Sequence, residues 1–153
     1  MSQWWIDEPK VLGSSNPTND QLEKLYQEGF RTIISLLDEN EQRPYYDTQK
    51  VEAMGFNRHS IPVKDFTAPT LHQFRQFLKI MNRASGRVLI HCYGGYGRTG
   101  TMAAAYWIDK GLPAYKAIRK VQQSNPGAVE IPEQEESLYE LEADLTKECQ
   151  DGT

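Results

Sequence analysis

The stretch from Val88 to Ile108, VLIHCYGGYGRTGTMAAAYWI, constrains the fold of this chain more than any other. It opens as a β-branched, strand-like run that stops at His91-Cys92 and turns through glycines at 94, 95, 97 and 100. From Thr101 to Lys110 it is apolar on almost every side. A helix without a polar face has to be enclosed by other elements. No strand-like run follows His91, so the strand feeding this helix is the last in the chain and a central one in its sheet. Upstream, helix-periodic runs end three times in glycine and pass at once into β-branched residues: Gly29 before Thr32 to Leu37, Gly55 before Phe56 to Val63, and Gly86 before Arg87 to His91. Glycine past a helix end followed by a strand signal reads as repeated αβ alternation.

The expectation is an α/β chain with a central, mostly parallel sheet of four or five strands and helices on both faces. Pro69-Thr70 supplies a helix start, after which Leu71, Phe74, Phe77, Leu78 and Met81 fall on one face. Pro113 to Gln123 is amphipathic, and Pro132 to Lys147 is a glutamate-rich helical run. The 153 residues form a single domain by length, residues 1–153, with about 148–153 as a frayed polar tail.

Composition narrows the function. A formal charge of −4 does not supply the clustered positive field that nucleic acid rewards. The longest apolar run, Met102 to Ile108, is too short to cross a bilayer, and the N-terminal MSQWWIDEPK lacks the basic flank and apolar core of a leader, so a cytoplasmic protein is expected. Two cysteines, Cys92 and Cys149, do not make a disulfide framework.

The glycine loop contains the letters of a dinucleotide fingerprint, Gly95-Tyr96-Gly97-Arg98-Thr99-Gly100, but Cys92, Tyr93 and Gly94 intervene after the strand and helix follows helix. A nucleoside-triphosphate loop also fails, because Thr101 stands where its lysine must be. What remains is a cysteine at a strand end, five residues, an arginine and a buried helix. Glycines let such a loop curl with its N–H groups inward, and the helix N-terminus adds its positive end. Cys92 at the base of this cradle is expected to be held as a thiolate, and Arg98 to close it with a planar fork matched to phosphate oxygens. The Thr99 hydroxyl can donate to the sulfur when sulfur departs. His91 either packs beneath the loop or fixes it by bonding backbone carbonyls. A thiolate attacking phosphorus needs a proton delivered to the departing oxygen. Asp65, on the connection after a strand, is open to that role and equally to that of a turn aspartate.

His91-Cys92-Tyr93-Gly94-Gly95-Tyr96-Gly97-Arg98-Thr99 resembles the HC-x-x-G-x-x-R-[ST] signature of cysteine-dependent protein phosphatases. Asp65-Phe66-Thr67-Ala68-Pro69 is similar to that family's D-x-x-x-P general-acid loop, and Pro126 to Glu130 with Glu133-Gln134-Glu135 resemble segments of the small stand-alone dual-specificity phosphatases of the VHZ type. The resemblance implies a tyrosine-phosphatase fold and hydrolysis through a cysteinyl-phosphate, with no metal or other cofactor. It implies catalytic roles for Cys92, Arg98, Asp65, Thr99 and His91, with Gln134 positioning the hydrolytic water. Phosphate, vanadate or sulfate would occupy a loop formed by Tyr93, Gly94, Gly95, Tyr96, Gly97 and Arg98. Asn125 departs from the arginine common in relatives, and nothing resembles the phosphotyrosine loop of the large tyrosine phosphatases, so a shallow pocket is expected. Lys64, Arg43, Tyr45, Tyr46 and Tyr96 are candidates for its entrance.

The reading is a phosphatase acting on phosphotyrosine in proteins or peptides, and more weakly on phosphoserine and phosphothreonine, without nucleic acid or membrane partners. The alternatives are a catalytically weak phosphate-binding module, a phosphatase of non-protein phosphomonoesters, and a sulfurtransferase-like or arsenate-reducing cysteine loop. Uncharged residues at 93, 94, 96 and 97 favour a ligand with a single phosphate.

Overall fold

The computed structural model describes residues 2–151, with side chains to Glu148. The elements follow in the order β1 (Gln3–Asp7), β2 (Val11–Ser14), α1 (Asn19–Gln27), β3 (Phe30–Ser35), α2 (Thr48–Met54), β4 (Asn57–Ser60), α3 (Leu71–Arg83), β5 (Arg87–His91), α4 (Gly97–Asp109), α5 (Ala114–Ser124) and α6 (Pro132–Asp151). The sheet order is β1-β2-β5-β3-β4, so the last strand is the central one, as its sequence requires. Only β1 runs antiparallel to its neighbour.

Each face of β5 feeds a separate core. Val88 and Ile90 pack with Phe74 and Phe77 of α3, Met102 and Ala105 of α4, Ala117 of α5 and Leu138 of α6. Leu89 faces the other way, toward Leu22 and Leu25 of α1 and Val51 of α2. The α4 helix lies in the thicker layer, contacting α3, α5 and α6, which explains a run with no polar face.

Gly29, Gly55 and Gly86 all adopt positive φ (99°, 120° and 74°) at the helix-to-strand turns where the alternation placed them. Thr70 caps α3 with a reciprocal Thr70–Gln73 capping box, fixing the start of that helix. The expected apolar stripe is shorter by one residue. Leu71 opens the helix and is 38 % exposed, and the buried face begins one turn later at Phe74. The final helix is longer than expected, since its backbone continues past Lys147 to Asp151 where a frayed tail was anticipated. No glycine or proline interrupts the sequence between Pro132 and Gly152, so nothing local stops it earlier. The Cys149 side chain lies outside the described residues.

No helix among the described residues is long and apolar enough to cross a membrane. The parallel register brings Ser14, Ser35 and His91 side by side at the carboxyl edge of the sheet. The segments after β2, β3, β4 and β5 therefore emerge together there.

Candidate active site

Cys92 follows β5 directly and is 2 % exposed at the floor of the glycine loop. Its Sγ accepts hydrogen bonds from the Gly95 N–H at 3.2 Å and from Thr99 Oγ1 at 3.0 Å. The Gly95 contact depends on a left-handed turn with φ of 85°. A Cβ at Gly95 would also lie 2.6 Å from the Ser15 nitrogen, so no other residue fits. The first turn of α4 begins at Gly97, where helix geometry leaves N–H groups without intrahelical acceptors.

The outer side of the loop is pinned from three directions. Trp4 Nε1 donates to the Gly95 carbonyl at 2.9 Å, Asn125 Nδ2 donates to the same oxygen at 3.3 Å, and the Asn16 N–H donates to the Tyr93 carbonyl at 3.0 Å. Asn125, which stands where the resemblance led us to expect arginine, is 6 % exposed and also accepts from the Gly127 N–H. It braces the loop from behind and offers no second cation to a ligand.

Arg98 is 2 % exposed and held on two sides. Nη1 donates to the Val63 carbonyl at 2.9 Å and Nη2 donates to Gln42 Oε1 at 2.8 Å. Asp65 joins this group: its Oδ1 stands 3.5 Å from Arg98 Nη2, and its Oδ2 accepts from Gln42 Nε2 at 3.1 Å. The Phe66 N–H donates back to Asp65 Oδ1 at 3.0 Å, and Phe66 takes a left-handed φ of 59°. That backbone conformation costs a non-glycine residue about 1 kcal/mol or more. It is retained where it turns the Asp65 carboxylate toward Arg98.

His91 is fully buried beneath Cys92. Its Nδ1 faces the Cys92 carbonyl at 3.3 Å and its Nε2 faces the Tyr46 hydroxyl at 2.8 Å. A carbonyl can only accept, so the proton sits on Nδ1 and Tyr46 donates to Nε2. Arg58 Nε donates to the Tyr46 oxygen at 2.9 Å, and Arg58 Nη2 is paired with Glu39 at 2.7 Å. Burial holds the ring neutral, pulling its pKa from the usual 6.5 to about 3, with Arg58 and Arg98 acting in the same direction.

A cavity of about 170 Å³ opens above the sulfur, lined by Asp65, Phe66, Cys92, Tyr93, Gly94, Tyr96, Gly97, Arg98 and Glu130. Phe66, Tyr93 and Tyr96 are 63 %, 44 % and 45 % exposed, so its rim is aromatic. Tyr45 extends that rim by hydrogen bonding Tyr93, hydroxyl to hydroxyl, at 2.7 Å. Of the other proposed entrance residues, Tyr46 is buried as the partner of His91, Lys64 pairs with Glu41 at 3.5 Å, and Arg43 does not line the cavity. A larger groove of about 730 Å³ runs along β4 and α3, and no cysteine is among the described residues that line it.

Gln134 is wholly buried rather than solvated. It accepts from the Glu130 N–H at 3.0 Å and donates to the Thr67 carbonyl at 3.2 Å, tying the start of α6 to the loop that carries Asp65. Its side chain does not line the cavity. Sequence reading passed over Gln42 and Glu130 as site residues. Gln42 lies in an irregular segment 56 positions from its partner Arg98, with no periodicity to mark it. Glu130 belonged to a stretch noted only for resemblance.

The family described as "Polymorphic toxin system, DSP-PTPase phosphatase" matches residues 9–112, which include every member of the Cys92, Arg98, Asp65 and Gln42 cluster. The chain belongs to this phosphatase family. The tyrosine-protein phosphatase cdc-14 of Caenorhabditis elegans is 29 % identical over 145 residues, which is 85 % of this chain and 20 % of that protein. The dual specificity protein phosphatase CDC14C of Homo sapiens is 34 % identical over 105 residues, 68 % of this chain and 22 % of that protein. The chain thus spans about a fifth of the length of these curated relatives. Solved structures match nearly end to end. Tk-PTP in its active form is 34 % identical with a TM-score of 0.83, covering 93 % of this chain and 97 % of that one. PTPMT1 in complex with PI(5)P is 25 % identical with a TM-score of 0.85, covering 96 % and 98 %. The α/β architecture expected from the sequence is that of these phosphatases.

Proposed function

We propose that this chain hydrolyses phosphomonoesters, with phosphotyrosine in proteins or peptides as the preferred substrate and phosphoserine or phosphothreonine as weaker ones. The observation that carries the reading is the Cys92 sulfur, held by Gly95 N–H and Thr99 Oγ1 under a small cavity whose walls are Arg98 and Asp65. Cys92 Sγ attacks phosphorus, forming an S–P bond as the ester P–O bond breaks, while Asp65 gives its proton to the departing oxygen. Water then attacks the cysteinyl-phosphate and passes a proton to the Asp65 carboxylate. The S–P bond breaks, and Thr99 Oγ1 donates to the leaving sulfur. Arg98 and the loop N–H groups stabilise the transferring phosphoryl group in both steps. Gln134 keeps the Asp65 loop in register with the cavity, which is how it assists the hydrolytic step.

Substrate choice follows from the rim and the charge. An aromatic ring carrying the phosphate packs against Phe66 and Tyr96. PTPMT1 has been solved with a phosphoinositide, and that substrate class is the second reading. Against it, the loop positions 93, 94, 96 and 97 are uncharged and the Glu130 carboxylate lines the mouth, so a second phosphate would meet an anion. The test is kcat/KM on matched phosphotyrosine and phosphothreonine peptides and on a soluble inositol polyphosphate headgroup, with chelator present and Cys92→Ser as control. Phosphotyrosine should be turned over fastest and the Cys92→Ser protein should be inert. Activity retained without the cysteine would refute the mechanism, and faster headgroup turnover would refute the substrate.

A further inference from the structure

Among the described residues, one side chain bonds both Arg98 and Asp65, and it is Gln42, from the irregular segment between β3 and α2. The orientation of its amide is fixed by chemistry. A guanidinium has donors and no acceptor, so Gln42 Oε1 must be the atom that faces Arg98 Nη2 at 2.8 Å. The NH2 end then points at Asp65 Oδ2, at 3.1 Å. We infer that Gln42 is a positioning residue, which aims the Arg98 fork and holds the Asp65 carboxylate beside it, tuning the acid; this rests on the phosphatase reading above.

Two consequences follow from the bonds. Arg98 spends one Nη1 proton on Val63 and one Nη2 proton on Gln42, which leaves three of its five N–H donors, the Nε–H among them, for a phosphate and the nearby Asp65 Oδ1. Both contacts fix the guanidinium plane and leave donors for an anion. On the other side, the Gln42 N–H bonds Asp65 Oδ2 while the Phe66 N–H and Arg98 meet Oδ1, so the carboxylate is held at both oxygens. Oδ1 is the oxygen nearer Arg98, where the phosphate is held. The other charged groups near Asp65 are Lys64, which is paired with Glu41, and Glu130 across the cavity.

An amide donor to a carboxylate eases loss of its proton, and a second carboxylate in that place opposes it. The experiment is therefore the pH dependence of kcat/KM for the full chain carrying Gln42→Met, which keeps the volume and removes both bonds, or Gln42→Glu, which turns the donor into a negative charge. Thermal midpoints check that the variants fold. In the wild type a bell is expected, its alkaline limb set by the acid. That limb should move upward in Gln42→Met and further in Gln42→Glu, by about one pH unit in the latter. Vanadate inhibition should weaken several-fold in Gln42→Met as the Arg98 fork loses its alignment. If the wild type shows the bell and the alkaline limbs of all three proteins coincide, the assignment of Gln42 is wrong while the phosphatase reading stands. A wild type with no turnover would overturn both.

Discussion

Asp65 is a surface turn residue or a proton donor according to what its two oxygens touch. Oδ1 meets the Phe66 N–H and Arg98, and Oδ2 meets Gln42, so the carboxylate is turned toward Arg98 at the cavity wall instead of capping its own turn alone. Asp65→Asn keeps the shape and removes the transferable proton. Proton transfer of this kind is worth about 10²–10⁴-fold. Turnover of a phosphotyrosine peptide, whose leaving group is poor, should fall by that order, while an activated aryl phosphate should lose much less. Equal losses on the two substrates would make Asp65 a structural residue. The residues of the cradle were legible in the sequence because they are adjacent: Cys92, Gly95, Arg98 and Thr99 lie within eight positions, and the loop conformation is dictated by their own glycines. Gln42, Arg58 and Glu130 were not legible as site or support residues, and Tyr46 was legible only as an entrance candidate, not as the buried partner of His91. Their contacts to Arg98, His91 and the cavity are made across the sheet edge, through single polar atoms that no periodicity announces.

At the scale of elements, the approach of α4 to the segment after α5 decides where the cavity wall stands. Gly100 of α4 faces Ala128, whose Cα would be 2.6 Å from an added Cβ, and the side chain of Ala128 would be closer still. Gly97, one turn earlier, faces the end of the Glu130 side chain. The difference is between displacing backbone and displacing the end of an exposed, flexible carboxylate side chain. Overpacking costs about 1–3 kcal/mol, and replacing helical glycine by alanine returns up to about 1 kcal/mol. Gly100→Ala should therefore lose on the order of 1–2 kcal/mol by urea unfolding at constant m, whereas Gly97→Ala should stay within about 1 kcal/mol of the wild type. Equal losses would show that the wall is soft at both points. The parallel αβ core was legible for a related reason: glycine at positive φ after α1, α2 and α3 is a local necessity, visible without tertiary contacts. The β1–β2 edge was not read from the sequence. Its strands are only five and four residues long and lack the alternation that would mark them, since all of β2 is buried.

For the molecule as a whole, the neutral ring of His91 couples folding to pH. It ends the central strand β5, is buried edge-on against the Tyr46 ring, and supports the Cys92 carbonyl while Tyr46, held by Arg58, supports the ring. Its folded value of about 3 lies below the ordinary 6.5. Between those two values the unfolded chain binds a proton that the native protein refuses. Stability from this group is complete above about pH 6.5 and is lost as the pH falls toward about 3, at up to about 1.4 kcal/mol per pH unit. Carboxylates add acid slopes of their own, so the measurement is a comparison. Urea unfolding between pH 7 and pH 5 should cost the wild type about 2 kcal/mol more than His91→Gln, whose side chain does not titrate. Parallel curves for the two proteins would mean that His91 takes up its proton in the native fold, and that the Tyr46–His91–Cys92 chain survives with a charged ring at its centre.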